Sequence, residues 1–107
     1  MHATITTKNT RITGAVCTTF LSRARGLMFT PPLHPHHCLI LDSITEQHNS
    51  LHMLFVFFPI DALWVNNNHV IVDKKTRLAP FTPHIHSPVL SRYVIELPAG
   101  SSTPFKI

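Results

Sequence analysis

Apolar and polar residues alternate in short stretches near the start of the chain, from Ala3 to Val16. Threonine and isoleucine dominate these stretches, and both residue types are common in β-strands. Alternation places the apolar side chains of a strand on one face. The pattern therefore predicts one or two strands, with a bend at Gly14.

A helical spacing follows between Thr18 and Met28. Small or apolar residues recur there about every 3.6 positions, which places them along one face of a helix. They are Phe20, Leu21, Ala24, Leu27 and Met28. Either Thr18 or Thr19 has a side chain suited to cap the first turn, and Gly26 weakens or ends a helix. We therefore expect one short helix.

The most apolar part of the chain runs from Leu51 to Val65 and is divided by Pro59. Because proline inside a helix costs about 3 kcal/mol, two core strands fit this stretch better than one helix. Asparagine tolerates positive φ, so Asn66–Asn68 predicts a tight turn. We expect adjacent antiparallel core strands over Leu51–Phe58 and Leu63–Val72.

Three polar or proline-rich segments predict loops, since proline cannot donate a backbone hydrogen bond and Asp, Ser and Asn bond their own backbone. They are Thr30–His37, Asp42–Asn49 and Leu78–Pro88. Short strands are expected at Cys38–Leu41 and Arg92–Leu97. With about six strands and one short helix, the chain is predicted to be mainly β.

Composition limits the classes of protein that fit. The 107 residues, 44% of them hydrophobic, suffice for a single domain over residues 1–107. The net charge is +4, but the basic residues are scattered and do not form the stripe typical of nucleic-acid binding. The start of the chain lacks the apolar segment of a secretion signal, and no apolar stretch reaches the roughly 18 residues of a membrane span. We expect a cytoplasmic protein with neither a membrane span nor a nucleic-acid partner.

Three motifs occur in a characteristic order: R-A-R-G-L-M at 23–28, N-S-L-H-M-L-F-V-F-F-P-I-D-A-L-W-V at 49–65, and R-Y-V-I-E-L-P-A-G at 92–100. Together they resemble the domain-of-unknown-function family 192, an uncharacterised prokaryotic family, over about residues 15–100. The resemblance implies a compact antiparallel β-sandwich or barrel with one short helix, and it implies no particular activity. It also implies that a closing strand, which in relatives begins with Gly-Asp, is missing after residue 107.

Two polar residues, His52 and Asp61, lie inside the most apolar segment. Burying an unpartnered charge or imidazole costs several kcal/mol, so both need partners. One hypothesis is a ligand-binding pocket at Arg25, His52 and Asp61, in which Asp61 holds Arg25 or His52. The alternative is structural, with Asp61 accepting hydrogen bonds from backbone amides at a turn. Alternation alone allows Glu96 to face either the interior or water.

The nine histidines raise a different hypothesis, a metal-dependent or hydrolase-like enzyme. Five of them lie in or beside the proline-rich loops, where they could converge. They are His34, His36, His37, His84 and His86. No carboxylate or thiolate at ligand spacing accompanies them, so we expect no native metal site and no cofactor. Cys17 and Cys38 form no C-x-x-C motif and are expected to be buried, inert thiols.

Three classes of function stay open. The favoured class is a ligand-binding or accessory module whose partner is an unknown small molecule or protein, because the sequence has no complete set of nucleophile, base and orienting group. The second class is the histidine-based enzyme. The third is a protein-interaction module that uses a sheet edge left open near Ile107.

Overall fold

A computed structural model of the chain describes residues 2–6 and 11–105, except for the side chain of Phe20. These residues form six strands and one helix. The elements are β1 (His2–Thr6), β2 (Arg11–Cys17), α1 (Phe20–Arg25), β3 (His37–Leu51), β4 (Ile60–Val65), β5 (Ile71–Leu78) and β6 (Ile85–Pro98). The predicted mainly β fold with about six strands and one short helix is confirmed.

The six strands form one sheet in the order β1-β2-β3-β6-β4-β5. β2 and β3 are parallel, joined by the crossover that contains α1, and every other neighbouring pair is antiparallel. The sheet is therefore mixed, with one parallel pair in the antiparallel arrangement that the resemblance implied. It is not closed into a barrel. β6 lies in the middle and pairs with both β3 and β4.

The core lies on both faces of the sheet, because successive side chains of a strand point to opposite faces. Trp64 and Val94 belong to one buried cluster, and their neighbours Leu63 and Ile95 belong to the other. Leu27, which follows α1, packs into the cluster that contains Trp64. The segment after α1 therefore covers that face of the sheet.

The helix begins and ends where the sequence predicted. The Thr19 hydroxyl accepts a hydrogen bond from the Ser22 amide at 3.1 Å, and the Ser22 hydroxyl accepts one from the Thr19 amide at 3.1 Å. This reciprocal pair satisfies two amides that the first turn leaves without helical partners. Gly26, with φ of 46°, ends the helix. Of the two capping candidates, Thr19 is confirmed.

The tight turn at Asn66–Asn68 is also confirmed. β4 and β5 form an antiparallel hairpin around it, and the Asn66 amide donates to the Val70 carbonyl at 2.9 Å. The Asn66 side-chain oxygen accepts from the amides of Asn68 and Val70. The positive φ of 63° falls on His69, so the asparagine acts through its side chain rather than through a left-handed backbone.

The predicted strand over Leu51–Phe58 is wrong. β3 ends at Leu51, and a loop follows in which Leu54, Phe55 and Phe57 are exposed. A run of apolar residues has no polar positions that could distinguish a buried strand from a loop with exposed rings. The second predicted core strand, Leu63–Val72, is divided by the hairpin turn between the end of β4 and the start of β5.

Three local predictions also need correction. The predicted loop Leu78–Pro88 is shorter, because Leu78 ends β5 and β6 begins at Ile85. Residues 42–49 do not form a loop, because β3 continues through them with register shifts against β6. Gly14 does not form a bend but lies inside β2, where a Cβ atom would sit 1.9 Å from the Cys38 carbonyl oxygen. It is required for close approach of two strands. Residues 7–10 of the predicted Ala3–Val16 segment, and the open edge expected near Ile107, lie outside the described residues.

Candidate functional site

A cleft lies between the end of α1 and the face of the sheet formed by β3 and β6. Its volume is about 280 Å³, close to the lower limit of roughly 300 Å³ for sites that bind small molecules. The polar side chains that line it are Arg23, Arg25, Gln47, Asn49, Ser50, His52 and Glu96. Leu27, Leu41, Leu51 and Val94 supply its apolar wall.

Glu96 contributes a buried carboxyl to this cleft. Its side chain projects from β6 on the same face as Val94, and the residue is 3% exposed. Among residues 2–6 and 11–105 no side chain or backbone group forms a hydrogen bond with this carboxyl, and burial raises its pKa to about 8. Glu96 is therefore protonated at pH 7, and it can donate one hydrogen bond and accept others.

The end of α1 approaches Glu96 closely because Gly26 has no side chain. A Cβ atom at position 26 would lie 3.2 Å from the Glu96 Oε1 atom, and the φ of Gly26 is in the left-handed region. An L-residue there would be strained by its backbone and would press on the carboxyl. Gly26 thus allows the helix to end directly over Glu96.

Two arginines of α1 lie at the same cleft. Arg25 is exposed at its rim, while Arg23 is half-buried and its Nε atom is fully buried with no hydrogen-bond partner in the part of the chain that the structure describes. Guanidinium groups present planar donors suited to carboxylates and phosphates. The cleft therefore combines a neutral buried acid with cationic groups.

His52 lies in the cleft wall, but both of its ring nitrogens are engaged. Nδ1 accepts a hydrogen bond from the Leu54 amide at 3.1 Å, and Nε2 lies 2.9 Å from the Ala24 carbonyl oxygen. The first contact requires a bare Nδ1, so we assign the proton to Nε2, which donates to Ala24. His52 ties the loop after β3 to the end of α1 and has no free nitrogen for a proton transfer.

Asp61 lies outside the cleft. Its side chain is fully buried and accepts hydrogen bonds from the amides of Arg77, Gly100 and Ser102 at 2.9–3.1 Å, and from the Ser102 hydroxyl at 2.5 Å. Burial acts to raise the pKa of Asp61, but these donors outweigh it and the pKa is lowered. The expectation that Asp61 is buried and accepts backbone hydrogen bonds is confirmed, whereas its predicted pairing with Arg25 or His52 is not observed.

Of the three residues assigned to a pocket from the sequence, Arg25 and His52 come together at the cleft and Asp61 does not. Sequence reasoning did not select Arg23 and left the direction of Glu96 open. A usable signal for Glu96 was its position two residues after Val94 in an apolar strand. An acid on the buried face of a strand marks either a structural hydrogen-bond network or a site.

A larger cavity of about 780 Å³ lies on the opposite face of the sheet. It is mainly apolar, and Ile40, Val65 and Ile95 contribute to its wall. Asp42 at its edge is paired with Arg92 at 2.9 Å. This acid therefore already has its partner, whereas Glu96 in the cleft has none among the described residues.

Four of the histidines in or beside the two proline-rich segments form two pairs, and His37 and His86 of these lie in β3 and β6. The rings of His84 and His86 are stacked with centroids 6.0 Å apart, and those of His34 and His37 are also 6.0 Å apart. Within the described ranges, 2–6 and 11–105, no three His, Cys, Asp or Glu residues are placed to hold a metal ion.

Both cysteines are free thiols. Burial raises the pKa of Cys38 to about 11, and burial together with the nearby Glu96 raises the pKa of Cys17. A thiol with a raised pKa is a poor nucleophile at neutral pH. The chemistry of the cleft therefore rests on Glu96 and the arginines.

The fold and the cleft define a small domain with one mixed sheet, a short crossover helix and a polar cleft beneath that helix. The helix, α1, has six residues and is too short to cross a bilayer, and it is the one helix in the described part of the chain. A family model described as Uncharacterized ACR, DUF192, matches residues 2–107. The chain belongs to this family, as its motifs implied.

Curated relatives carry the name UPF0127 protein. The one from Thermococcus sibiricus is 35% identical over 85 residues, which cover 79% of this chain and 54% of the relative. The one from Pyrococcus horikoshii is 33% identical over 91 residues, which cover 85% of this chain and 76% of the relative. The chain thus spans about half the length of the Thermococcus relative. These names indicate no specific function.

Two solved structures share the fold. A structure from Sinorhizobium meliloti 1021, provisionally described as a transcription regulator, has a TM-score of 0.85 at 23% identity and covers 94% of this chain and 81% of its own. A protein of unknown function from Novosphingobium aromaticivorans has a TM-score of 0.83 at 19% identity and covers 92% and 73%. At these identities the likeness concerns the fold alone.

Proposed function

We propose that the chain is a small-molecule-binding module whose ligand occupies the cleft beneath α1. The observation that carries the proposal is the position of the Glu96 carboxyl, which lines the cleft and has no hydrogen-bond partner in the described residues. A carboxyl that faces a cleft with its hydrogen-bonding capacity unused is available to a ligand that enters the cleft.

The charges around the cleft favour a particular chemistry for the ligand. A protonated carboxyl donates to a carbonyl-type oxygen and accepts from an amide or hydroxyl group. Arg25 at the rim, with Arg23 beside it, favours an anionic group and disfavours a cation. We therefore expect a small molecule that carries a polar group for Glu96 and a carboxylate for Arg25.

The volume of the cleft limits the ligand to a small metabolite. At about 280 Å³, the cleft is smaller than sites for most drug-sized molecules. His52 forms part of its wall and fixes the loop against α1 through the Ala24 carbonyl. Asp61 has no role in ligand contact in this proposal and holds the segment after β6 to the sheet.

The proposal is tested by nuclear magnetic resonance with ¹⁵N-labelled protein and a panel of short hydroxy and amino carboxylic acids. We expect at least one acid to shift the amide resonances of Gly26 and Glu96. Arg25→Ala should weaken that binding at least tenfold. Arg11→Ala is the matched control, because Arg11 is exposed on β2 and does not line the cleft.

Two results would contradict the proposal. One is a panel in which no acid shifts the amides around the cleft. The other is binding that Arg25→Ala and Arg11→Ala weaken equally, since the effect would then reflect the net charge of the protein rather than a contact in the cleft.

A further inference from the structure

Four phenylalanine side chains from three loops form an exposed cluster, here called the aromatic patch: Phe29, Phe55, Phe57 and Phe81. Their rings are 45–65% exposed, yet they contact one another, with centroids 4.9 Å apart for Phe29 and Phe55 and 5.0 Å apart for Phe57 and Phe81. At about 200 Å² for a whole side chain, they present roughly 400 Å² of aromatic surface to water. Patches of this size are often functional.

The backbone holds these rings outward in an uncommon conformation. Phe29, Phe55 and Phe81 have φ of 58°, 57° and 65°, a region that bulky L-residues rarely adopt. Such strain persists where the surrounding structure enforces it, and it often marks functional surfaces. Burying the rings in the core would have been the ordinary outcome for four phenylalanines, so their exposure needs a reason.

Backbone hydrogen bonds join the three loops beneath the aromatic patch. The Phe29 amide donates to the Phe55 carbonyl at 2.9 Å. The Phe81 amide donates to the Met53 carbonyl, and the Met53 amide donates to the Thr82 carbonyl, both at 2.7 Å. These bonds fix the three loops relative to one another, so the four rings form one continuous surface.

The charges near the aromatic patch are of one sign. Segments 26–33, 53–60 and 79–83, which carry the patch, contain no charged residue. Arg25 and Arg77 are exposed in the segments that lead into two of these loops. Of the five acids, only Glu46 is exposed, and it contacts the Asn67 amide in the hairpin turn, at the opposite end of β4 and β5. The patch therefore has cationic and no exposed anionic neighbours.

We propose that the aromatic patch docks on the surface of an anionic lipid bilayer, with the four rings in the interfacial layer and Arg25 and Arg77 against the lipid headgroups. A second copy of the chain is the less suitable occupant, because a stable protein interface buries about 800 Å² on each partner, about twice the patch. Apolar side chains combined with cations are the two contributions by which peripheral proteins bind anionic membranes.

The test is co-sedimentation of the full chain with vesicles of phosphatidylcholine that contain phosphatidylserine. We expect binding that falls when sodium chloride is raised and that is much weaker on vesicles of phosphatidylcholine alone. The double variant Phe55→Ser, Phe57→Ser should bind at least tenfold more weakly. Leu21→Ser is the matched control, since Leu21 is 78% exposed on α1 outside the patch and its loss should leave binding unchanged.

A second variant keeps the test informative if the double variant fails to fold. Phe57→Trp places a fluorescent ring in the patch, and its emission should move to shorter wavelength when anionic vesicles are added, while the buried Trp64 gives a constant background. No binding to anionic vesicles, or no change in emission with Phe57→Trp, would overturn the proposal. A dimer of the wild-type chain that Phe55→Ser dissociates would also overturn it, because the patch would then be covered by a second copy.

Discussion

The replacement Glu96→Gln tests whether the cleft holds a protonated carboxyl. Glutamine keeps the size of the side chain and cannot ionise. The wild-type carboxyl has a pKa of about 8 in the folded protein and an ordinary value of 4.5. Between these two pH values the folded state holds a proton that the unfolded state has lost. The free energy of unfolding of the wild type must therefore fall as pH rises through this window.

The size of the effect follows from the two pKa values. A difference of about 3.5 pH units corresponds to roughly 5 kcal/mol in total, at about 1.36 kcal/mol for each unit. Between pH 5.5 and pH 7.5, Glu96→Gln should gain about 2.5 kcal/mol of stability relative to the wild type. The titratable and charged groups near Glu96 are Arg23 and Arg25 from α1, His52 and Cys17, and all of them remain in the variant.

Urea denaturation of both proteins at several pH values between 5 and 8 measures this difference. The slope of the free energy against urea concentration should stay equal in the two proteins, so that only the midpoint changes. Glu46→Gln is the matched control, because it makes the same replacement at an exposed glutamate outside the cleft. Wild-type and Glu96→Gln curves that run parallel from pH 5.5 to 7.5 would refute a buried, protonated Glu96.

Three other predictions concern the framework and metal binding. Asp61→Ala leaves buried amides without an acceptor and should cost at least about 3 kcal/mol by thermal unfolding, and Asp61→Asn should cost less. Because the pKa of Asp61 is lowered from 3.8, the difference between wild type and Asp61→Asn should shrink as pH falls below that value; an unchanged difference would show that the charge does not matter. Gly14→Ala places a methyl group against the Cys38 carbonyl and should cost about 2 kcal/mol or more; a variant with wild-type melting would contradict the close approach. Zinc or copper should stabilise the protein by less than roughly 3 kcal/mol, the value for a ligand at a hundred times its dissociation constant, as measured by the shift in melting temperature. A large stoichiometric effect would argue for a native metal site.

Local signals in the sequence were sufficient for several elements. Thr19 and Gly26 could be identified as the ends of the helix because capping acts over three or four residues. Asn66 marked the hairpin turn because its side chain bonds amides two and four residues ahead. These interactions depend on sequence neighbours alone, so a pattern could identify them.

Elements that depend on distant residues were not predictable in the same way. The loop after Leu51 looks like a buried strand until the loops that carry Phe29 and Phe81 are placed beside it. The role of Gly14 becomes visible only when Cys38 is known to lie on the adjacent strand.

The residues of the candidate site also differ in whether sequence neighbours alone could identify them. His52 could be singled out because a polar residue in an apolar run needs a partner. The direction of Glu96 depends on how β6 pairs with its two neighbouring strands, and Arg23 reaches the cleft only because α1 lies across them. Asp61 carried the same sequence signal as His52, and it satisfies backbone amides instead.

The central position of β6 also has a consequence for folding during synthesis. β1, β2 and β3 form one group of paired strands, and β4 and β5 form another, with β6 as the strand that connects them. A growing polypeptide on the ribosome therefore carries two incomplete half-sheets with exposed apolar faces until residues 85–98 have emerged. Such partly built states are prone to aggregate. A translational pause while this segment is still inside the ribosome should lower the yield of folded molecules more than an equal pause after the segment has emerged.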